Sequence, residues 1–259
     1  MPDYLDVLAR DAKETVVAGY YQVPTQQVAS SVSLRKAIIE SRQSAVITEV
    51  KAASPSRGAI KTGFDPAEVA RAMENGGATG ISVLTEPKHF SGSLSYLAKV
   101  REAVKLPILM KDIVISPIQL EAASRIGANV VLLIEALFER GYCEFNLDEM
   151  ISKAHARNLE VLLESHSEAE FQHAIETDAD LVGINNRDLR TLKVDLHVTE
   201  RILKKHENKG KVVVSESGVM TPEDLLFLRG CGAQAFLIGS SVMMANNIEQ
   251  KVKEFVTAH

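Results

Sequence analysis

The chain has no tryptophan and only two cysteines, Cys143 and Cys231, in 259 residues. The two lie far apart and form no zinc or redox spacing, which excludes a disulfide scaffold and fits a reducing compartment. No apolar run approaches the ~18 residues of a spanning helix. The opening MPDYLDVLARDAKE is polar and acidic, unlike a signal or transit peptide. Positive charge is not in excess either. The net charge of -5 argues against a nucleic-acid or anionic-membrane surface. The seven histidines show no HxH or HExxH pattern, so no metal is implied. GxGxxG, GxxxxGK[ST] and GxSxG are all missing, which weakens dinucleotide, P-loop and serine-hydrolase readings. There is no low-complexity stretch and no obvious linker. The chain therefore reads as cytoplasmic and globular, with an ordinary 46% hydrophobic and 24% charged content.

What is present is a rhythm. GGATGISVLTE (76–86), GANVVLLIEA (127–136), DADLVGINNRD (178–188) and GAQAFLIGSS (232–241) each carry a short apolar run after an amphipathic stretch. Such runs are apolar on both faces, as in parallel strands covered by helices. AVITEVK (45–51), LPILMK (106–111), LEVLLE (159–164) and KVVVSE (211–216) supply four more, making eight expected strands. Helical stretches fit between them, among them 65–75, 93–104, 116–126, 147–158, 167–177, 197–206 and 221–231, with a last one near 248–256. Eight β-then-α units in ~200 residues favour a closed (β/α)8 barrel over an open sheet. The expectation is one barrel domain over 1–259, with residues 1–44 as a partly helical N-terminal extension covering the barrel or its mouth.

In such a barrel, chemistry collects at the C-terminal ends of the strands. Here those ends carry Glu49 and Lys51, Lys111-Asp112, Glu164, Asn185 with Arg187, Glu216-Ser217-Gly218 and Gly239-Ser240-Ser241. Glu49 and Lys51 are two apart in a strand and so share a face. One charge at a strand end is usually solvated, but lysines and glutamates converging on one rim would perturb each other's pKa values, a physical mark of a site. Gly218 and the Gly239-Ser240 pair follow the last two strands, where backbone N–H groups can approach an anion and where phosphate commonly binds in this architecture. Ser54 and Ser56 could add hydroxyl donors from across the mouth. Of the histidines, His155, His173 and His206 are expected on helix surfaces, and only His166, two residues past Glu164, is near the rim. Spacing alone leaves Lys51 and Lys111 equal.

ITEVKAASPSRG, SVLTEPKHFSGS, PILMKDIVI, GANVVLLIEAL, LEVLLESHSE, GINNRDLRTLKVD, SESGVMTPED and AFLIGSSVM, in this order and at barrel intervals, resemble the indole-3-glycerol-phosphate synthase family over about residues 30–245. The family cyclises 1-(2-carboxyphenylamino)-1-deoxyribulose 5-phosphate to indole-3-glycerol phosphate, with loss of CO2 and water, in tryptophan biosynthesis. The resemblance implies Lys111 as the general acid at the ribulose carbonyl and Glu164 as base or proton shuttle in the dehydration. It implies Lys51 as a second lysine aiding proton transfer, and Glu49, Asn185 and Glu216 as orienting groups. Arg187 matches the holder of the anthranilate carboxylate, and Ser54, Gly218, Gly239 and Ser240 match the phosphate cradle, with Ser56 and Ser217 beside it. Phe90 and Leu132 join the substrate-binding set. The chemistry needs no cofactor, since the protonated, dearomatised ring is the electron sink. The implied partner is this one small sugar phosphate, with no nucleic acid or membrane, bound by a monomer or weak homodimer.

The chain departs from the family in three ways. Ile113 stands where the family usually has Phe in the apolar wall. Glu135 stands where it usually has a small or apolar residue, and is expected to face solvent. Without Trp, an apolar lid from the N-terminal segment must use other side chains, with Tyr20 and Tyr21 as candidates. The residues also leave open a Schiff-base aldolase using Lys51 or Lys111, and a barrel that binds a sugar phosphate without turning it over.

Overall fold

The computed structural model describes residues 3–24, 32–54, 58–60 and 63–258. The N-terminal extension holds α1 (Tyr4–Val17) and α2 (Leu34–Glu40). Then follow β1 (Ala45–Val50), a small antiparallel hairpin of β2 (Ala53–Ser54) and β3 (Gly58–Ala59), α3 (Pro66–Asn75), β4 (Gly80–Leu84), α4 (Leu94–Ala103), β5 (Ile108–Lys111) and α5 (Pro117–Arg125). The second half runs β6 (Val130–Ile134), α6 (Glu135–Glu139), α7 (Leu147–His155), β7 (Glu160–Ser165), α8 (Glu168–Ala174), β8 (Leu181–Asn185) and α9 (His197–Lys205). It ends with β9 (Val212–Glu216), α10 (Pro222–Gly230), β10 (Ala235–Ile238), α11 (Ser240–Met243) and α12 (Ile248–Val256). The eight longer strands form one closed, all-parallel barrel in the order β1-β10-β9-β8-β7-β6-β5-β4, the expected (β/α)8 architecture. The hairpin and the short helices α6 and α11 were not expected from the sequence.

Closure follows from period two. Each strand sends alternate apolar residues to opposite faces, so the molecule has two cores. Inside the barrel lie Ala45 and Ile47, Leu109, Leu132, Leu162, Leu181, Val212 and Val214, and Ala235 and Leu237. Outside, Val46, Val83, Met110, Val131, Val161, Val182, Val213 and Phe236 meet the helices. The helices start where capping dictates. Asp65 caps α3 ahead of Pro66, and Asn146–Glu149 and Thr221–Asp224 form reciprocal capping boxes on α7 and α10.

The extension stops both ends of the barrel. Leu5, Leu8, Ala9 and Ala12 of α1 and Leu34 and Ile38 of α2 belong to the interior core. At the floor, Glu160 at the start of β7 accepts the N–H groups of Leu34 and Arg35, while Leu34 packs against Gly80 at the start of β4. At the mouth, Arg140 after α6 grips the first turn of α1 through Asp3 at 2.7 Å and Asp6 at 2.8 Å. Between these ends the extension is tied to the outer shell: Tyr21 donates to the buried Asp112 at 2.9 Å and Tyr20 to the Thr85 carbonyl at 3.0 Å. Among the described residues no helix is long and apolar enough to cross a membrane.

Candidate active site

Continuing each interior face by two residues beyond its last apolar position gives the site. Ile47 leads to Glu49 and Lys51, Leu109 to Lys111, Leu162 to Glu164, Leu181 to Gly183 and Asn185, Val214 to Glu216, and Leu237 to Gly239. These side chains open into a cavity of about 390 Å³ at the C-terminal rim. Its walls include Glu49, Lys51, Phe90, Lys111, Leu132, Glu164, Asn185, Arg187, Glu216, Ser217, Gly218, Gly239 and Ser240, so the structure brings these expected residues together. Ser54 is described by its backbone alone, on β2, and Ser56 lies outside the described residues.

Lys111 is the centre. Its Nζ lies 3.0 Å from Glu164 Oε2 and 2.8 Å from Glu216 Oε2. Burial disfavours the ammonium, yet Glu164, Glu216 and Glu49 together outweigh it and hold the lysine pKa above its ordinary value. Burial would likewise raise Glu164, but Lys111, His166 and Asn185 outweigh that and keep it ionised, below the usual carboxylate range. Glu216 goes the other way: burial, with the Glu164 charge beside it, overrides Lys111 and pushes it up to about 8. Two carboxylates driven apart in this way can divide acid and base duties over one ammonium.

Lys51 makes a separate pair with Glu49 at 2.6 Å, which answers the equality left by spacing. Lys111 lies between two carboxylates, whereas Lys51 has one and sits beside Gly239. Past β8, Asn186 is buried and locks the rim. Its amide donates to Ser215 Oγ and to the carbonyls of Glu216 and Ser217. Arg187 is held by its own loop, its guanidinium donating to the Leu192 carbonyl at 2.8 Å. Ser217 and Gly218 both have positive φ, +66° and +99°, turning the chain after β9 toward α10. Gly218 is packed against Val194 and Leu196, so a side chain there would meet both strain and collision. Gly239 caps the first turn of α11.

Several expectations need correction. Tyr20 and Tyr21 do not line the cavity; they fasten the extension to the outer shell, and Tyr4, Leu5 and Leu8 of α1 form the lid instead. The only sequence signal for that was the amphipathic pattern of α1. Glu135 does not face solvent. It is 2% exposed, begins α6, and accepts from or donates to His173 Nδ1 at 2.6 Å, while burial raises its pKa. Ile113, in place of the family's Phe, stays in the apolar wall near Leu132 and Ile134. His155 and His173 are open as expected, but His206 is half-buried against Gln172 and Glu168. Asp112, expected beside Lys111 at the rim, is turned away, held by Tyr21, Thr85 and the Ile113 N–H, and burial pushes it up to about 6. Among the described residues no group of three or more His, Cys, Asp or Glu is placed to hold a metal ion.

A rim with an enclosed lysine between two unequal carboxylates defines an acid/base enzyme on a (β/α)8 barrel. The family model described as "Indole-3-glycerol phosphate synthase" matches residues 5–255, and the chain belongs to that family. Proteins named indole-3-glycerol phosphate synthase are similar along most of their length. The one from Caldanaerobacter subterraneus is 43% identical over 82% of this chain and 80% of its own. The Methanocaldococcus jannaschii protein is 43% identical over 86% and 82%, and that of Neisseria meningitidis 45% over 80% and 78%. In fold alone the chain also resembles a thiamine phosphate pyrophosphorylase from Pyrococcus furiosus, at TM-score 0.60 and 17% identity, covering 86% of this chain and 96% of that one. An N-acetylmannosamine-6-phosphate 2-epimerase from Clostridium perfringens gives TM-score 0.61 and 15% identity, over 83% and 93%.

Proposed function

We propose that the rim cyclises 1-(2-carboxyphenylamino)-1-deoxyribulose 5-phosphate with Lys111 as its principal acid. The activity is that of the family, a carboxy-lyase of tryptophan biosynthesis that yields indole-3-glycerol phosphate. As the aromatic ring attacks the ribulose carbonyl, negative charge grows on oxygen, and the Lys111 ammonium donates its proton there. The carboxylate then leaves as CO2, its bonding electrons restoring the ring. Loss of the new hydroxyl as water needs a second proton. The CH2 carbon beside nitrogen gives one up, and Glu164, ionised and 3.0 Å from Lys111, receives it. Asn185 orients Glu164, Glu216 holds Lys111, and the Glu49–Lys51 pair handles the substrate's hydroxyls and proton traffic.

Arg187 receives the anthranilate carboxylate, and Phe90, Leu132 and Ile113 pack the ring. Ser54, Ser56, Ser217, Gly218, Gly239 and Ser240 form the phosphate end. The reading includes a monomer or weak homodimer working in the cytoplasm on this single small molecule, without a cofactor.

The observation that carries the reading is Lys111 clamped between Glu164 and Glu216. A Schiff-base aldolase needs a neutral lysine, and the two carboxylates oppose that. An assay following indole fluorescence tests the proposal. Wild type should turn the carboxyphenylamino substrate over, and Lys111→Ala and Glu164→Gln should each lose about 10²–10⁴-fold in kcat. An unchanged rate in Lys111→Ala, or a stable adduct on borohydride treatment with substrate, would sink the mechanism.

A further inference from the structure

The proposed reaction consumes a proton. An ionised carboxylate leaves as neutral CO2, the carbonyl oxygen takes two protons on its way to water, and the CH2 carbon returns only one. One proton per turnover must therefore come from solvent into a site whose mouth is covered by α1 and filled by substrate.

Behind Glu164 the structure holds a way in. Lys111 occupies Glu164 Oε2, leaving Oε1 to face His166 Nε2 at 3.2 Å. The other nitrogen of the ring, Nδ1, lies 3.6 Å from Glu170 Oε2. Both ring nitrogens are buried, and neither makes a well-aligned hydrogen bond. Glu170 is anchored by the His166 N–H at 2.8 Å and by Ser167 Oγ at 3.0 Å. Glu164 lines the substrate cavity and not its neighbour, whereas His166 and Glu170 line the neighbour and not the substrate cavity. That neighbouring cavity, of about 460 Å³, lies between α8, α9 and the loop after β8, and most residues lining it are polar or charged. The two cavities share Asn185, Arg187 and Leu189 as their partition.

We propose that His166 is a positioning and proton-relaying residue, which carries the solvent proton from Glu170 and the second cavity through Glu164 to Lys111. The inference rests on the reaction proposed above. In each transfer one N–H or O–H bond breaks as the next forms. Nε2 of the loaded ring releases a proton to Glu164 Oε1 and Oε2 returns one to the spent Lys111 amine; the ring, left neutral with its proton on Nδ1, then turns over to bring its bare nitrogen to Glu170, which reprotonates it from the second cavity and restores the imidazolium. The 3.6 Å step lies roughly half an ångström beyond hydrogen-bond reach and is closed by a small turn of the ring. The charged groups that face the ring directly are Glu164 on β7 and Glu170 on α8, and those that line the second cavity with it are Asp3, Arg140, Glu168, Arg187, Asp188, Arg190, Lys193, Asp195 and Arg201. Burial pulls the ring pKa down, but Glu164 and Glu170 outweigh it and push it up to about 9, so the ring enters each cycle loaded.

The test uses the purified full chain with the carboxyphenylamino substrate. His166→Asn should lose about 10²-fold in kcat, with KM little changed, and the alkaline limb of its kcat–pH profile should move. In His166→Ala, added imidazole, which the second cavity can admit, should restore rate in proportion to its concentration. Active wild type beside a His166→Asn enzyme with unaltered kcat and pH profile overturns the relay and leaves the reaction standing. A slower His166→Asn enzyme with the wild-type pH profile, and no imidazole rescue of His166→Ala, also overturns it, since only packing would then have been lost. Should both His166 variants fail to fold, Glu170→Gln decides: a displaced alkaline limb supports the relay and an unmoved one overturns it. Wild type without turnover removes the reaction itself.

Discussion

Gly183 on β8 lies beneath the carboxylate of Glu216 on β9, and a methyl group on Gly183 would collide with Glu216 Oε1. The register sets Gly183 level with Glu164 on the other side. An absent side chain between two strands thus lets Glu164 and Glu216 reach across β8 to the same ammonium. Glycine is used here for space, not for an unusual backbone angle. Gly183→Ala should keep the fold and push Glu216 off Lys111, with a loss of about 10²-fold in kcat, the order expected for a misplacement of ~1 Å. Steady-state kinetics beside a circular dichroism spectrum checks this; a fully active alanine variant would show that Glu216 need not sit there.

The clasp on α1 makes a different prediction. Arg140 pairs with Asp3 and Asp6, and Tyr142 donates to Asp6 at 2.8 Å. The pair is partly open to solvent, so Arg140→Ala should cost less than ~1 kcal/mol of stability. The lid residues Tyr4, Leu5 and Leu8 ride on that helix, so KM should rise several-fold while kcat stays near wild type. A drop in kcat at unchanged KM would contradict the assignment of α1 as a lid.

Tyr21 and Asp112 form a buried tie between the extension and the loop after β5. Tyr21→Phe removes one of the three donors to that carboxylate and leaves its burial intact. The expected cost is about 1–3 kcal/mol, seen as a drop of several degrees in Tm. No change in Tm would mean that Asp112 finds a replacement donor, as water or by rotation.

His166 gives stability a pH dependence of known sign. Its pKa is raised on folding from about 6.5 to about 9. A raised pKa means the folded state binds the proton more tightly. The contribution is therefore complete below pH 6.5 and disappears as pH climbs through 9. Its size is at most about 3 kcal/mol. The Tm gap between wild type and His166→Asn should be widest at pH 6 and narrow steadily toward pH 9.5. A gap of constant size across that range would count against the ion pairs with Glu164 and Glu170.

Much of this was legible in the residues. Period two in ITEVK aimed Glu49 and Lys51 at one face, and the same rule carried Lys111, Glu164 and Glu216 onto the rim, because strand alternation is a local property. Which lysine sits between two carboxylates was not legible, since those carboxylates come from other strands. The same holds for Tyr21, whose partner Asp112 is 91 residues away, and for Glu135, buried by His173 on a helix that comes 38 residues later. The lid fell on Tyr4, Leu5 and Leu8 rather than on Tyr20 and Tyr21 for a comparable reason: where an amphipathic helix docks is decided by the surface that receives it.

α2 stops the floor of the barrel with Leu34, and Glu160 fastens it there. The rim cavity is consequently closed from below. Whatever enters this cavity past α1 has to leave past α1 as well. Departure of the last molecule and arrival of the next then share one doorway, and traffic through it is governed by the helix that Arg140 holds down.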